Sequence, residues 1–242
     1  MNLILTMAGK YSRFKLFGNK VPKYLLPLGS ETILAVVIKH FLHSVPSCNL
    51  FLIANRHDQI FLPIVRSIMG RYEIDNKSLI YIDDTSSQLE TALSASELLQ
   101  AEQFEAPVAF ANIDTVLQER HEFFQTLEKC SRGTGLLDTF KGDNKQYSFA
   151  RVDESGKVTD VVDKNVISSK ACSGLYGFGS YSVMLEMAAE MLRINGEANF
   201  TDLYKYYIAK GKEVFAHHSK DPKYTIVLGT PEEYVINIHR FK

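Results

Sequence analysis

The chain has 242 residues, 45% of them hydrophobic and 23% charged, with a formal net charge of −1. That length supports one large domain with a full core, and that composition excludes a disordered chain. The near-neutral balance argues against nucleic-acid or membrane partners, although a local basic loop can still hold an anion. Cys48, Cys130 and Cys172 are widely spaced and odd in number. They form no metal-type pair, and a reduced, cytoplasmic setting is expected. No stretch approaches the ~18 apolar residues of a membrane span, and no basic segment precedes the N-terminal apolar run as it would in a signal peptide.

That run, Leu3-Ile4-Leu5-Thr6-Met7, predicts a short buried strand that breaks at Gly9 into a loop carrying Lys10, Arg13 and Lys23. Backbone N–H groups at such a strand end, together with cations, make a seat for a polyanion. Residues 32–44 place Ile33, Val36, Val37, Phe41 and Leu42 at helical spacing, and residues 59–69 repeat the pattern. Runs at 50–54, 79–82 and 108–112 are apolar throughout, as parallel strands covered on both faces are. Ser87-Gln88-Leu89-Glu90 reads as a capping box. This alternation builds a parallel sheet through right-handed crossovers.

Beyond residue 130 the rhythm changes. Residues 135–140, 147–152 and 158–162 are short strand candidates, with Glu154-Ser155-Gly156-Lys157 as a hairpin turn, and a meander here adds antiparallel strands. Helices are expected at 181–194 and 201–210. A strand at 223–228 and a last helix follow, with Thr230 as N-cap and Pro231 in its first turn. Adjacent residues on a strand point to opposite faces, so His217-His218 is not read as a metal pair. Residues 1–242 show neither a repeat nor a linker and read as one domain.

Ligands of open α/β sheets sit at the carboxyl ends of the strands, and four groups fall there. They are the loop 9–23, the segment 83–88, Asn112-Ile113-Asp114, and Asp163-Lys164 with Ser173-Gly174-Leu175-Tyr176. The order Gly9-x-x-Ser12-Arg13 and then Pro22-Lys23 resembles the signature of the sugar-phosphate nucleotidyltransferases, the thymidylyltransferase and cytidylyltransferase type included. The resemblance runs in order along nearly the whole chain. It implies an α/β, single-domain, Rossmann-like three-layer α/β/α nucleotidyltransferase fold with a mixed, mainly parallel central sheet. It also implies a nucleoside triphosphate and a phosphorylated sugar or similar small acceptor as partners, Mg²⁺ as cofactor, diphosphate as product, and a role in making surface-polysaccharide precursors.

Residue by residue, the resemblance implies that the backbone of Ala8, Gly9, Lys10, Tyr11 and Ser12 and the side chain of Arg13 hold the triphosphate. Lys23 then reaches the phosphates at the reacting centre, and Gln88 and Asn112 lie at the nucleotide. Asp114 binds the metal, and Asp163, Lys164, Gly174 and Tyr176 face the acceptor. Arginine suits phosphate because its planar fork pairs two oxygens at once, and Mg²⁺ takes one or two carboxylates with phosphate oxygens and water. Read without the resemblance, Asp114 is equally a turn cap, Gln88 an exposed helix residue and Gly174 a strand turn.

The chain departs from the family pattern at several positions. Tyr11 stands where a second glycine is usual, Asp163 replaces a glutamate, and Ser87 replaces a frequent glycine, which narrows the base site toward a pyrimidine. Val227 stands where an acidic metal ligand often precedes Gly229, so the metal leans on Asp114, phosphates and water, or borrows a group such as Asp221. Two other classes stay open: a nucleotide- or sugar-nucleotide-binding protein with weak or no catalysis, and a glycosyltransferase. The latter wants an Asp-x-Asp motif, of which Asn112-Ile113-Asp114 has only the second acid. A homo-oligomer is compatible with the sequence.

Overall fold

The computed structural model describes residues 1–241. The buried strand β1 (Asn2–Met7) leads to α1 (Ser12–Leu16), a small hairpin of β2 (Pro27–Leu28) and β3 (Glu31–Thr32), and α2 (Ile33–Ser44). Thr32 stops the hairpin and starts the helix, because its hydroxyl accepts from the Ala35 N–H at 3.2 Å and satisfies an otherwise orphaned donor. The alternation continues through β4 (Asn49–Asn55), α3 (Leu62–Arg71), β5 (Leu79–Ile82), α4 (Gln88–Leu93) and β6 (Val108–Asn112). Next come β7 (Thr115–Leu117), α5 (His121–Glu128), β8 (Gly135–Lys141), β9 (Ser148–Val152), β10 (Val158–Asp163) and β11 (Lys170–Phe178). The chain closes with α6 (Tyr181–Asn195), α7 (Phe200–Ala209), β12 (Val214–His218), β13 (Thr225–Val227) and α8 (Pro231–Asn237).

The main sheet runs β10-β9-β11-β6-β1-β4-β5, with β8 added on β11 and β12 on β8. Strands β6, β1, β4 and β5 are parallel, whereas β11 is antiparallel to β6, so the sheet is mixed as expected. Alternation along β1 sends Leu3, Leu5 and Met7 into one core with Val37, Phe41 and Met69, and Ile4 into another with Phe110, Met184 and Phe200. Helices therefore cover both faces, giving three layers. No helix among the described residues is long and apolar enough to cross a membrane.

The expected meander is only partly present. Strands β9 and β10 form its hairpin, but β8 pairs with β11 and β12 instead of β9. Strand β11 was legible only as a four-residue segment because Ala171, Cys172, Ser173, Gly174 and Gly177 lack the β-branched and aromatic signature of a strand. Helix α5 and strand β7 are further elements that the sequence pattern did not disclose, whereas the strand expected at 223–228 is present as β13. At α4 the cap is half a box. The Ser87 hydroxyl accepts from the Glu90 N–H at 3.2 Å, but the Glu90 carboxylate accepts from the N–H and hydroxyl of Ser86 at 2.6 and 2.7 Å. At α8 both halves close between Thr230 and Glu233.

One buried ionic network holds the later strands together. Arg120 and Asp138 are fully buried, with Nε donating to Asp138 at 2.9 Å. The other guanidinium nitrogens donate to the Gln118 carbonyl at 2.6 Å and the Thr225 hydroxyl at 2.5 Å. Asp138 also accepts from the Ser173 hydroxyl at 2.5 Å and lies 2.6 Å from His217 Nδ1. His217 is thus a structural partner, while its neighbour His218 turns to the Thr139 hydroxyl at 3.1 Å. Burial pushes the Asp138 carboxyl up, but the Arg120 charge, then His217 and Ser173, outweigh it and hold the group below the usual carboxylate range.

Removing the cation should leave a charge buried without its partner. Arg120→Met is expected to lose about 3–5 kcal/mol in urea unfolding, against less than about 1 kcal/mol for Arg56→Ala, which breaks an exposed pair with Asp83. Because the folded Asp138 carboxyl titrates low, its contribution is fully present above the unfolded value of about 3.9 and is lost as pH falls below it. Equal losses in the two variants at neutral pH would contradict this account.

Candidate active site

Strands β1, β4, β5 and β6 end at one edge of the sheet, and the segments leaving that edge enclose a cavity of about 480 Å³. Its walls are residues 6–11, Lys23 and Tyr24, the start of α4, and Asn112 to Asp114. This is where open α/β sheets hold ligands. A smaller cavity of about 230 Å³ adjoins it, walled by Arg13, Tyr147, Gly174, Tyr176, Val227 and Glu233 among others. Asn112 and Asp114 line both, so they form the partition.

Local chemistry shapes each wall. A Cβ on Gly9 would meet nothing within 4 Å, which leaves the loop backbone open to whatever occupies the larger cavity. Pro22, at φ −55°, leads into Lys23, and Lys23 Nζ lies 2.6 Å from Asp114 Oδ2. The two side chains are 15% and 25% exposed, so this pair is only partly screened by water. The Asp114 carbonyl accepts from the Leu228 N–H at 2.7 Å, which fixes the residue just past β6. At the rim Lys10 pairs with Asp84 at 3.2 Å, and Asn55 donates to the same carboxylate at 2.8 Å. Those two donors, the Asn55 hydrogen bond foremost, hold Asp84 below the usual carboxylate range.

The partition is built from polar contacts and close packing. Gln88 Nε2 donates to Asn112 Oδ1 at 2.6 Å. Gly174 sits where the β11 register shifts, at φ +88°, and a Cβ there would lie 2.9 Å from Asn112 Nδ2. Both its conformation and this close approach require glycine. Tyr176 stacks on Phe200 with ring centroids 4.5 Å apart, and burial pushes its phenol far up.

The residues singled out in the sequence divide between the two cavities. Ala8, Gly9, Lys10, Tyr11, Lys23 and Gln88 line the larger one, while Arg13, Gly174 and Tyr176 line the smaller. Arg13, expected among the triphosphate contacts, is exposed and approaches Gln146 Oε1 at 3.5 Å. Ser12 opens α1 and lines neither cavity. Asp163 and Lys164 also line neither; they pair with each other at 3.4 Å, and Asp163 accepts from the Ser148 hydroxyl at 2.7 Å. Asp221 caps the turn at Pro222 and pairs with Lys223, away from both cavities, so it does not replace an acid at Val227.

Two acids were missed. Glu233, in the first turn of α8, accepts from Thr230 N–H and from the Tyr147 hydroxyl, each at 3.0 Å, on the wall of the smaller cavity. A Cβ on Gly229 would lie 3.3 Å from Glu233 Oε2 and 3.4 Å from Asp114 Oδ2, so this glycine keeps a gap between the carboxylates. Asp58, buried behind the loop, carried no sequence signal at all. Among the described residues no three His, Cys, Asp or Glu side chains cluster to hold a metal by themselves. A magnesium ion carried by phosphates needs less: one carboxylate, phosphate oxygens and water complete its octahedron. Asp114 fits that donor set.

No protein-family model matches the chain, and no curated protein matches it. Solved structures do. The nucleoside-diphosphate-sugar pyrophosphorylase of Vibrio cholerae RC9 superposes with a TM-score of 0.79 over 98% of this chain and 99% of its own, at 24% identity. A UDP-glucose pyrophosphorylase complexed with UDP-glucose superposes with a TM-score of 0.77 over 99% and 97%, at 18% identity. The chain therefore has the α/β nucleotidyltransferase fold of these pyrophosphorylases over nearly all of its length.

Proposed function

We propose that this chain is a Mg²⁺-dependent sugar-phosphate nucleotidyltransferase, which joins a nucleoside triphosphate to a phosphorylated sugar or similar small acceptor and releases diphosphate. The observation that carries the reading is the pair of adjoining cavities with Asp114 in their shared wall and Lys23 bonded to it. Two substrates between which a nucleotidyl group passes need two seats meeting at one point, and a cation at that point. The donor is read as a pyrimidine nucleotide, because Gln88 presents an amide in the larger cavity beside Ser87. A single domain working in the cytoplasm on surface-polysaccharide precursors completes the proposal.

An acceptor phosphate oxygen attacks the α-phosphorus in line with the departing diphosphate. The nucleophile is already an anion, so the work is positioning and charge neutralisation rather than proton abstraction. A cation at ~4 Å is worth about 4 kcal/mol at an effective dielectric of ~20. Lys23 supplies one such charge at the partition, and Arg13 a second from the acceptor side. Asp114 would hold magnesium, which neutralises phosphate charge when bound with the substrate. The loop backbone around Gly9 would take the phosphate tail, and Glu233 and Tyr147 stand where hydroxyls of an acceptor can be held. Val227 puts methyl groups rather than an acid on the acceptor wall, which favours a second reading, a nucleotide-binding protein with little turnover.

Diphosphate release from CTP, UTP, dTTP, ATP and GTP with candidate acceptor phosphates separates these readings. Release is expected with a pyrimidine triphosphate; none with any combination would leave the binding-protein reading. Lys23→Ala should lower turnover by roughly two orders of magnitude, equivalent to about 3 kcal/mol of transition-state stabilisation, and near-normal turnover would remove Lys23 from the mechanism. Asp114→Asn keeps the shape of the side chain without the charge a metal needs, so it should abolish activity, as should excess chelator. Full activity in either case would count against the metal assignment.

A further inference from the structure

We propose that Asp58 is a positioning residue that ties down both ends of the loop between β1 and β2, through Tyr11 and Tyr24. The proposal rests on the reading that this loop seats the nucleotide phosphates. Asp58 lies in the turn after β4 and is 1% exposed, yet no part of the chemistry above uses it. Its Oδ1 accepts from the Tyr11 hydroxyl at 2.6 Å, and its Oδ2 from the Tyr24 hydroxyl at 3.2 Å. Tyr11 stands two residues beyond Gly9, and Tyr24 directly follows Lys23. One carboxylate thus fixes the start of the loop and the residue beside its phosphate-facing lysine.

Tyr11 carries the signature of a segment held in place. Its φ of 36° is left-handed, a region that bulky side chains rarely occupy unless the surroundings impose it. The 2.6 Å contact has the length of a charge-assisted O–H···O⁻ bond, and Lys15 Nζ lies 4.5 Å from the centre of the Tyr11 ring. A glycine at this position would leave the loop to be ordered by the ligand, at a cost to binding. Tyr11 anchored on Asp58 orders the loop beforehand.

Hydrogen exchange of the full-length chain without nucleotide tests the anchor directly. Tyr11→Phe keeps the ring and removes the one hydroxyl. Amides of residues 8–17 should then exchange about tenfold to a hundredfold faster, the scale set by a hydrogen bond to a charged acceptor, while amides elsewhere that exchange by local opening keep their wild-type rates. Asp58→Asn keeps a carbonyl acceptor for Tyr11 but removes its charge, so its exchange should fall between that of wild type and Tyr11→Phe. Calorimetry with the magnesium salt of CTP should show Tyr11→Phe weakening binding by about tenfold, with KM rising more than kcat falls. Unchanged exchange in Tyr11→Phe overturns the anchor, and so does faster exchange spread over the whole chain. A wild-type chain that binds no triphosphate overturns the functional reading instead, while the exchange result still decides the anchor.

Discussion

Lys23 and Asp114 lie 91 positions apart in the chain, and their 2.6 Å contact depends on much of the fold being in place. Parallel pairing of β1 with β6 brings the two strand ends to the same edge. Pro22 aims the lysine, and the Leu228 N–H fixes the backbone of the aspartate. In the free protein each charge neutralises the other, which lets both stand half-buried without a large desolvation cost. Under the proposed function, a triphosphate with its metal would offer each a replacement partner of the right sign, at a site charged in advance.

The Arg120–Asp138 network supports this arrangement from beneath. Arg120 holds Thr225 at the start of β13, whose pairing with β7 flanks Asp114. Asp138 holds Ser173, and the next residue is the glycine packed against Asn112. Asn112 in turn accepts from Gln88. A continuous run of contacts therefore joins a water-excluded ion pair to both faces of the partition between the cavities.

What was legible in the sequence was local. Strands β1, β4, β5 and β6 announce themselves because parallel strands covered on both faces must be apolar throughout, and Thr230 announces a helix start because a cap is satisfied within three residues. Gly9, Lys23 and Asp114 were legible because they lie at strand ends in a fixed order. Arg120, Asp138, Asp58 and Glu233 were not, since a buried charge is defined by partners distant in sequence and each looks like a surface residue in a one-dimensional pattern. Strand β11 was hidden by its small residues, of which Gly174 is required by the close approach to Asn112. Arg13 shows the limit of motif order: it was expected beside Gly9 and Lys23, but its side chain lines the smaller cavity rather than the larger.

The central claim is that a phosphate of the acceptor displaces diphosphate from the α-phosphorus of the donor. Following two radiolabels through one turnover tests it most directly, with the triphosphate labelled at the α-phosphorus in one reaction and at the γ-phosphorus in another. The account predicts that the α-label appears in a nucleoside-diphosphate-linked acceptor and the γ-label in diphosphate. Transfer of the γ-label to the acceptor, or its release as inorganic phosphate, would contradict it.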